Sequence, residues 1–372
     1  MDKYIITKIF IAIILITVMV SAFAACSKNV GVLNAVSENA ESTTSEVSTT
    51  DITSENEDEA MINGTSNNTL ATPSDFPSEY DYGSGTMADW SRYYMLKKMP
   101  KPKANETVLN TPPDTSSFQA LYLWEGNNAP AKTKFTRNMT GYFDDYDFRP
   151  YVTAIPVKKG VTPKGAVVLL AGGAYQFRGN YTDTLPTAAH LRELGFLTFI
   201  VDYRLQPYSQ EEGALDVARA VRFIRKNADI YGINPDNIAV MGYSAGAIQA
   251  GEFFMHYDED VLPSSLDNSY IPDELDKVSA HATACGMIYG FYGRLSVGNM
   301  DKNWLKQGDL PPTYYIYGTE DPFYHQFEKQ YAVLKEMGIG TKKLVLNGWP
   351  HGFGGDGGWV ERYAEWLENI WN

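Results

Sequence analysis

The sequence predicts an α/β fold: a mostly parallel central sheet with helices on both faces, preceded by a leader and a spacer. Two observations predict it. Short runs apolar throughout alternate with longer amphipathic segments beyond Gly85, and strands buried on both faces read in this way. In addition, one such run feeds straight into a helical pattern through a glycine-flanked serine, "IAVMGYSAGA", Ile238 to Ala247.

In chain order, residues 1–25 form a leader. Lys3 and Lys8 precede the apolar run "IFIAIILITVMVSAFAA", the pattern of a secretory signal. Residues 23–26, "FAAC", resemble the bacterial lipobox, which implies lipidation at Cys26 and a location on the extracellular side of the bacterial cell membrane. Phe23 departs from the usual Leu or Val. A plainly cleaved signal or a retained helix are the alternatives. Residues 26–85 are rich in Ser, Thr, Asn and Glu, with too little apolar surface to offset the entropy of ordering, and read as a disordered spacer. Eleven acidic residues against Lys28 lie between Ser27 and Gly85, so much of the formal charge of -14 is local. An acidic balance argues against nucleic acid as a charge-driven partner. Cys285, in "ATACGMIYG", reads as a buried structural thiol, and no internal disulfide is expected.

Residues 86–372 are the expected catalytic body. After an irregular aromatic lead-in, candidate strands are "YVTAIPV", "AVVLLA", "LTFIVDY", "IAVMG", "ATACGMIYG", "TYYIYG" and "KLVLNG". Between them, "GALDVARAVRFIRKNADIYG" places Val217, Val221, Ile224 and Ala228 on one helical face. "GGWVERYAEWLENIW" does the same with Val360, Tyr363, Trp366, Leu367 and Ile370.

Ligands of such sheets bind beyond the carboxyl ends of the strands, where Ser244 stands. A serine hydroxyl needs a base, and the base needs a group to hold it. Of five histidines, His351 sits in the loop "NGWPHGFGG" after the last strand and is the expected base. His190 and His325 fall within helical segments, His256 ends a helix, and His281 precedes a strand with no identifiable acidic partner. The acid comes from "TYYIYGTEDPF": Asp321, with Glu320 as the alternative. The order Ser244, Asp321, His351 is that of α/β-hydrolases. Oxyanion donors are expected from the backbone of Ala245 and of Gly173 or Ala174 in "AVVLLAGGAYQF". "GFGGDG" matches a dinucleotide fingerprint, but a single helix follows it, so no cofactor is expected; no residue spacing suggests a metal.

Through "GAVVLLAGGAYQF", "VDYRL", "VRFIRKNADIYGINPDNIAVMGYSAGA", "DELDKVSA", "PPTYYIYGTEDPF" and "WPHGFG", residues from about "LYLWEGNNAP" onward resemble the esterase/lipase group of α/β-hydrolases. They look most like the branch of bacterial acetyl-xylan and feruloyl esterases. That resemblance implies Ser244 as nucleophile, Asp321 and His351 as its partners, and Gly173, Ala174 and Ala245 near the oxyanion. It implies a small ester or acylated carbohydrate as substrate, with Tyr175 lining the site. "AGGAY" departs from the branch's Pro-Gly-Gly-Gly-Tyr at Ala171 and Ala174, and Ala247 stands where a further Gly is common. The extra methyl of Ala174 is expected to narrow the acyl pocket towards acetyl groups, and Tyr203 and Tyr208 are expected as aromatic rim. A prolyl-oligopeptidase-type peptidase shares the motif order, and a tethered ligand-binding lipoprotein shares the leader. The sequence leaves the oligomeric state open.

Overall fold

The computed structural model describes residues 99–135, 144–258 and 261–372, together with the backbone of Met61–Ile62. The leader, Cys26 and, apart from that dipeptide, the segment read as spacer lie outside the described residues. Among the described residues no helix is long and apolar enough to cross a membrane.

A nine-stranded sheet organises the body, in the order β1-β11-β10-β7-β6-β4-β5-β3-β2. Its strands are β1 (Met61–Ile62), β2 (Gln119–Tyr122), β3 (Tyr151–Ile155), β4 (Gly165–Leu170), β5 (Phe196–Asp202), β6 (Ile238–Tyr243), β7 (Ala284–Ile288), β10 (Thr313–Gly318) and β11 (Thr341–Leu346). The numbers β8 (Gly293–Arg294) and β9 (Val297–Gly298) belong to a separate antiparallel hairpin. Pairing is parallel from β1 to β5, while β3 and β2 add antiparallel at the far edge. Every residue of β4, β5, β6, β7 and β10 is buried, as their uninterrupted apolar runs require.

The helices are α1 (Thr184–Glu193), α2 (Gln210–Lys226), α3 (Ala245–His256), α4 (Tyr324–Glu336) and α5 (Val360–Trp371). Helix α2 begins three residues earlier than the apolar period alone indicates. Ser209 and Glu212 form a capping box, with Glu212 N–H donating to Ser209 Oγ at 3.3 Å and Ser209 N–H to Glu212 Oε2 at 2.7 Å. Of its predicted face, Val217, Val221 and Ile224 are buried in α2, whereas Ala228 is buried in a separate short helix, Ala228–Tyr231, that follows the break at Asn227. The face of α5 is buried at Val360, Tyr363, Trp366 and Leu367. Salt bridges anchor α2 and the turn before it: Arg204 pairs with Asp216 at 2.9 Å, and Arg219 with Asp273. These guanidiniums are almost wholly buried, so each needs its carboxylate.

Each of the seven predicted strands exists. Sequence reading missed β1, a dipeptide inside the segment read as a disordered spacer that instead pairs with β11, because two residues carry no readable pattern. It also missed β2, only four residues long within the aromatic lead-in, and the two-residue strands of the hairpin. Cys285 lies inside β7, and burial pushes its thiol up to about 12, a structural rather than a reactive thiol.

Candidate active site

Strand β6 ends at Tyr243 and α3 begins at Ala245, leaving Ser244 alone to turn the chain. It does so at φ 50°, ψ −118°, a conformation that costs a non-glycine residue roughly 1–3 kcal/mol. Neighbouring backbone holds it there. Ser244 N–H donates to Ile288 O at 2.9 Å, and Ser244 O accepts from Ala247 and Ile248 N–H at 3.0 and 3.1 Å. The glycine at 246 is forced by contact: a β-carbon there would sit 2.6 Å from Ala171 O and nearer still to Leu170 O. The serine turn is thus wedged against the end of β4.

Two loops from neighbouring strands reach Ser244. Asp321 follows β10; its Oδ1 accepts Phe323 N–H at 2.8 Å, which fixes the carboxylate. Its Oδ2 lies 2.6 Å from His351 Nδ1, and His351 Nε2 lies 2.8 Å from Ser244 Oγ. Asp321 is buried and the imidazole nearly so, flanked by the rings of Tyr289 at 4.8 Å and Phe323 at 5.8 Å. With the Nδ1 proton on the carboxylate side, the Nε2 lone pair faces the hydroxyl. Ser244 remains partly open to solvent.

The alternatives lie elsewhere. Glu320 is exposed. His190 faces Glu361 at 3.4 Å, and His256 faces Glu252 at 3.9 Å. His281 requires a correction: it does have an acidic neighbour, Asp258 Oδ2, 3.3 Å from its Nδ1. That pair formed between residues far apart in sequence. It sits before β7, at the amino end of the parallel strands, opposite Ser244.

The turn after β4 lies beside the serine. A β-carbon on Gly172 would stand 3.0 Å from Ser244 Cβ and 2.8 Å from Tyr243 O, so only glycine fits. Gly173, Ala174 and Tyr175 follow, with φ of 131°, 53° and 59°. Ala174 therefore occupies the left-handed region, which favours glycine. As first residue of α3, Ala245 has an N–H with no partner within the helix. The side chain of Tyr175 is buried, as is that of Tyr203. This corrects the expected rim: Tyr203 is wholly enclosed, and its hydroxyl donates to Ala171 O at 2.8 Å as a brace beneath the turn. Tyr208 is half-buried, 6.0 Å from Phe135. The aromatic surface comes instead from Phe177 and Tyr181, 45% and 59% exposed, in the same turn. Phe177 packs on Gly173.

One residue of the site escaped sequence reading altogether. Asp183, just before α1, is buried, and its Oδ2 accepts Gly172 N–H at 2.8 Å. Its Oδ1 accepts the Tyr289 hydroxyl at 2.9 Å, and the Tyr289 oxygen accepts Gly354 N–H at 3.2 Å. Burial raises the carboxyl to about 6, against the hydrogen bonds it accepts and the nearby His351. No motif marks it; "NYTDT" reads as any polar turn.

A family model described as BD-FAE matches residues 155–323. The acetylxylan esterase of Xylanibacter ruminicola is 24% identical over 56% of this chain and 45% of its own length. The arylesterase of Saccharolobus solfataricus is 25% identical over 59% of this chain and 76% of its own. The chain thus spans less than half the length of the acetylxylan esterase. Among solved structures, the acetyl ester-xyloside bifunctional hydrolase of Caldicellulosiruptor lactoaceticus superposes with a TM-score of 0.50 at 19% identity, covering 68% of this chain and 94% of that one. These matches bear out the resemblance to esterase-type α/β-hydrolases and the fold it implies.

Proposed function

We propose, from the premise that this chain is an α/β-hydrolase of the esterase type, that it is a serine carboxylesterase. The observation that carries the reading is His351 standing between Ser244 Oγ and Asp321 at hydrogen-bond distance from both. Ser244 Oγ attacks the ester carbonyl carbon as His351 Nε2 takes its proton. Asp321 holds the Nδ1 proton and offsets the charge on the imidazolium. The carbonyl oxygen, now an oxyanion, receives the N–H groups of Ala245 and of Gly173 or Ala174. His351 then protonates the departing alcohol. Water, deprotonated by the same histidine, hydrolyses the acyl-enzyme and frees Ser244.

For substrate, we propose short acyl esters, acetyl above all, carried on a carbohydrate such as xylan. Two features support it. The methyl of Ala174 adds bulk where glycine is usual, and the name of the Xylanibacter relative ties a similar sequence to acetylated xylan. Phe177 and Tyr181 offer ring faces for apolar stacking against sugar rings. Initial rates on acetyl, butyryl, octanoyl and feruloyl esters and on acetylated xylo-oligosaccharides test this. Octanoyl turnover faster than acetyl contradicts it.

We propose further that the leader and Cys26 tether the body to the outer face of a bacterial membrane. The lipobox-like "FAAC" and the spacer composition support this. Cys26→Ala is expected to move the protein from the membrane fraction to a soluble or unprocessed form. Unchanged fractionation contradicts it.

A further inference from the structure

We propose that Asp183 is a positioning residue, whose carboxylate holds the oxyanion turn and the His351 loop in a single geometry. The proposal rests on the reading of Ser244 as nucleophile. The two halves of the site arrive from different parts of the chain: Gly172 immediately precedes the donor Gly173, and Gly354 lies three residues beyond His351. A continuous path of hydrogen bonds joins them, from Gly172 N–H to Asp183 Oδ2, from Tyr289 Oη–H to Asp183 Oδ1, and from Gly354 N–H to Tyr289 Oη. The Thr182 hydroxyl adds a donor to Oδ1 at 3.2 Å, and Gly355 N–H donates to Thr182 O at 3.1 Å. The residue pair 182–183 thus grips both loops. Tyr289 is also the ring that flanks His351, and it holds φ 39°, itself outside ordinary backbone space for a tyrosine.

A carboxylate is suited to this place for a specific reason. The Gly172 N–H and the Tyr289 hydroxyl each take one of its two oxygens, with the single Thr182 hydroxyl proton shared between Oδ1 and Gly179 O. Only an ionised carboxyl accepts on both oxygens without offering a proton back. A buried charge is expensive, and a neutral side chain of the same size serves packing alone just as well. Protonation, or an amide in its place, turns one acceptor into a donor and sets it against Gly172 N–H or the hydroxyl of Tyr289. The turn or the loop must then shift, and shifts of an ångström in donor placement cost rate. The titratable groups facing Asp183 are Tyr289, Tyr203 and His351.

The test measures kcat and KM for p-nitrophenyl acetate across pH for wild type, Asp183→Asn, Tyr289→Phe and the double variant, with phosphonate labelling of Ser244 alongside. Asp183→Asn is expected to lose about tenfold or more in kcat while KM moves by less than about threefold. The acidic fall in wild-type rate is expected to be steeper than one protonation gives, and to relax to a single protonation in Asp183→Asn. The double variant is expected to lie within roughly twofold of the worse single variant, because both break one path. Active, labelled wild type with both single variants within roughly twofold of it overturns the proposal. Where Asp183→Asn does not fold, Tyr289→Phe decides alone: unchanged kcat overturns the proposal, and a several-fold loss with native circular dichroism supports it. Wild type that neither turns over ester nor takes the label at Ser244 instead overturns the reading on which the proposal rests.

Discussion

The methyl of Ala247, one turn into α3, fills the space that a side chain at Gly290 would need. A β-carbon at 290 would collide with Ala247 Cβ and lie 3.2 Å from Ser244 O. The alanine that departs from the usual glycine behind the serine is therefore matched by a glycine across from it. Gly290→Ala is expected to destabilise the protein by roughly 1–3 kcal/mol through overpacking and to lower turnover by displacing Ser244. Adding Ala247→Gly should restore much of both. Thermal melts and ester rates of the three variants check this, and additive losses in the double variant speak against it.

Ala174 holds φ 53° without being glycine. Ala174→Gly relieves strain of about 1 kcal/mol but gives back a similar amount in unfolded-chain entropy, so its melting temperature should barely move. Its acyl preference should move. If the methyl narrows the pocket, wild type prefers acetyl over butyryl by about tenfold or more, and Ala174→Gly reduces that ratio. An unchanged ratio excludes the methyl as its cause.

Phe177 and Tyr181 stand exposed on the turn beside Gly173. Replacing both by alanine should raise KM for acetylated xylo-oligosaccharides by several-fold and leave p-nitrophenyl acetate nearly unaffected, because the small ester has no sugar ring to stack. Equal effects on both substrates contradict a carbohydrate platform.

Glu252, on α3, is buried beside Arg294, which lies 3.0 Å from its Oε2. Burial raises its carboxyl from 4.5 to about 7, with Arg294 opposing. The folded state thus prefers the protonated form. The penalty for ionising Glu252 is absent below about 4.5, grows as pH rises, and is complete above about 7. Relative to wild type, Glu252→Gln should therefore gain stability as pH is raised across this window, by roughly 1–3 kcal/mol. Denaturant melts at pH 4.5 and 8 measure it, and a stability difference independent of pH contradicts the assignment.

How much of this was legible follows from the reach of each signal. Strands β4, β6, β7 and β10 announce themselves by local apolar runs, and Ser244, Asp321 and His351 by turn residues directly after strands. Strand β2 has four residues and no alternation to read. Asp183 and Tyr289 are 106 residues apart, so their bond is written in no local pattern. The same holds for His281 and Asp258, and for Tyr203, whose place beneath Ala171 only the packed sheet decides.

His351→Ala should abolish turnover, since among the described residues His351 is the base hydrogen-bonded to Ser244 Oγ, whereas His281→Ala should leave most of it. Equal damage from both substitutions would show that the wrong histidine has been assigned.

The central claim is tested most directly at Ser244 itself. Ser244→Ala should retain the native circular dichroism spectrum and lose about three or more orders of magnitude in kcat, because the three side chains act as a unit. Intact-protein and peptide mass spectrometry of wild type treated with a serine-directed phosphonate should place one adduct on Ser244. Full activity in Ser244→Ala, or an adduct on any other residue, contradicts the account.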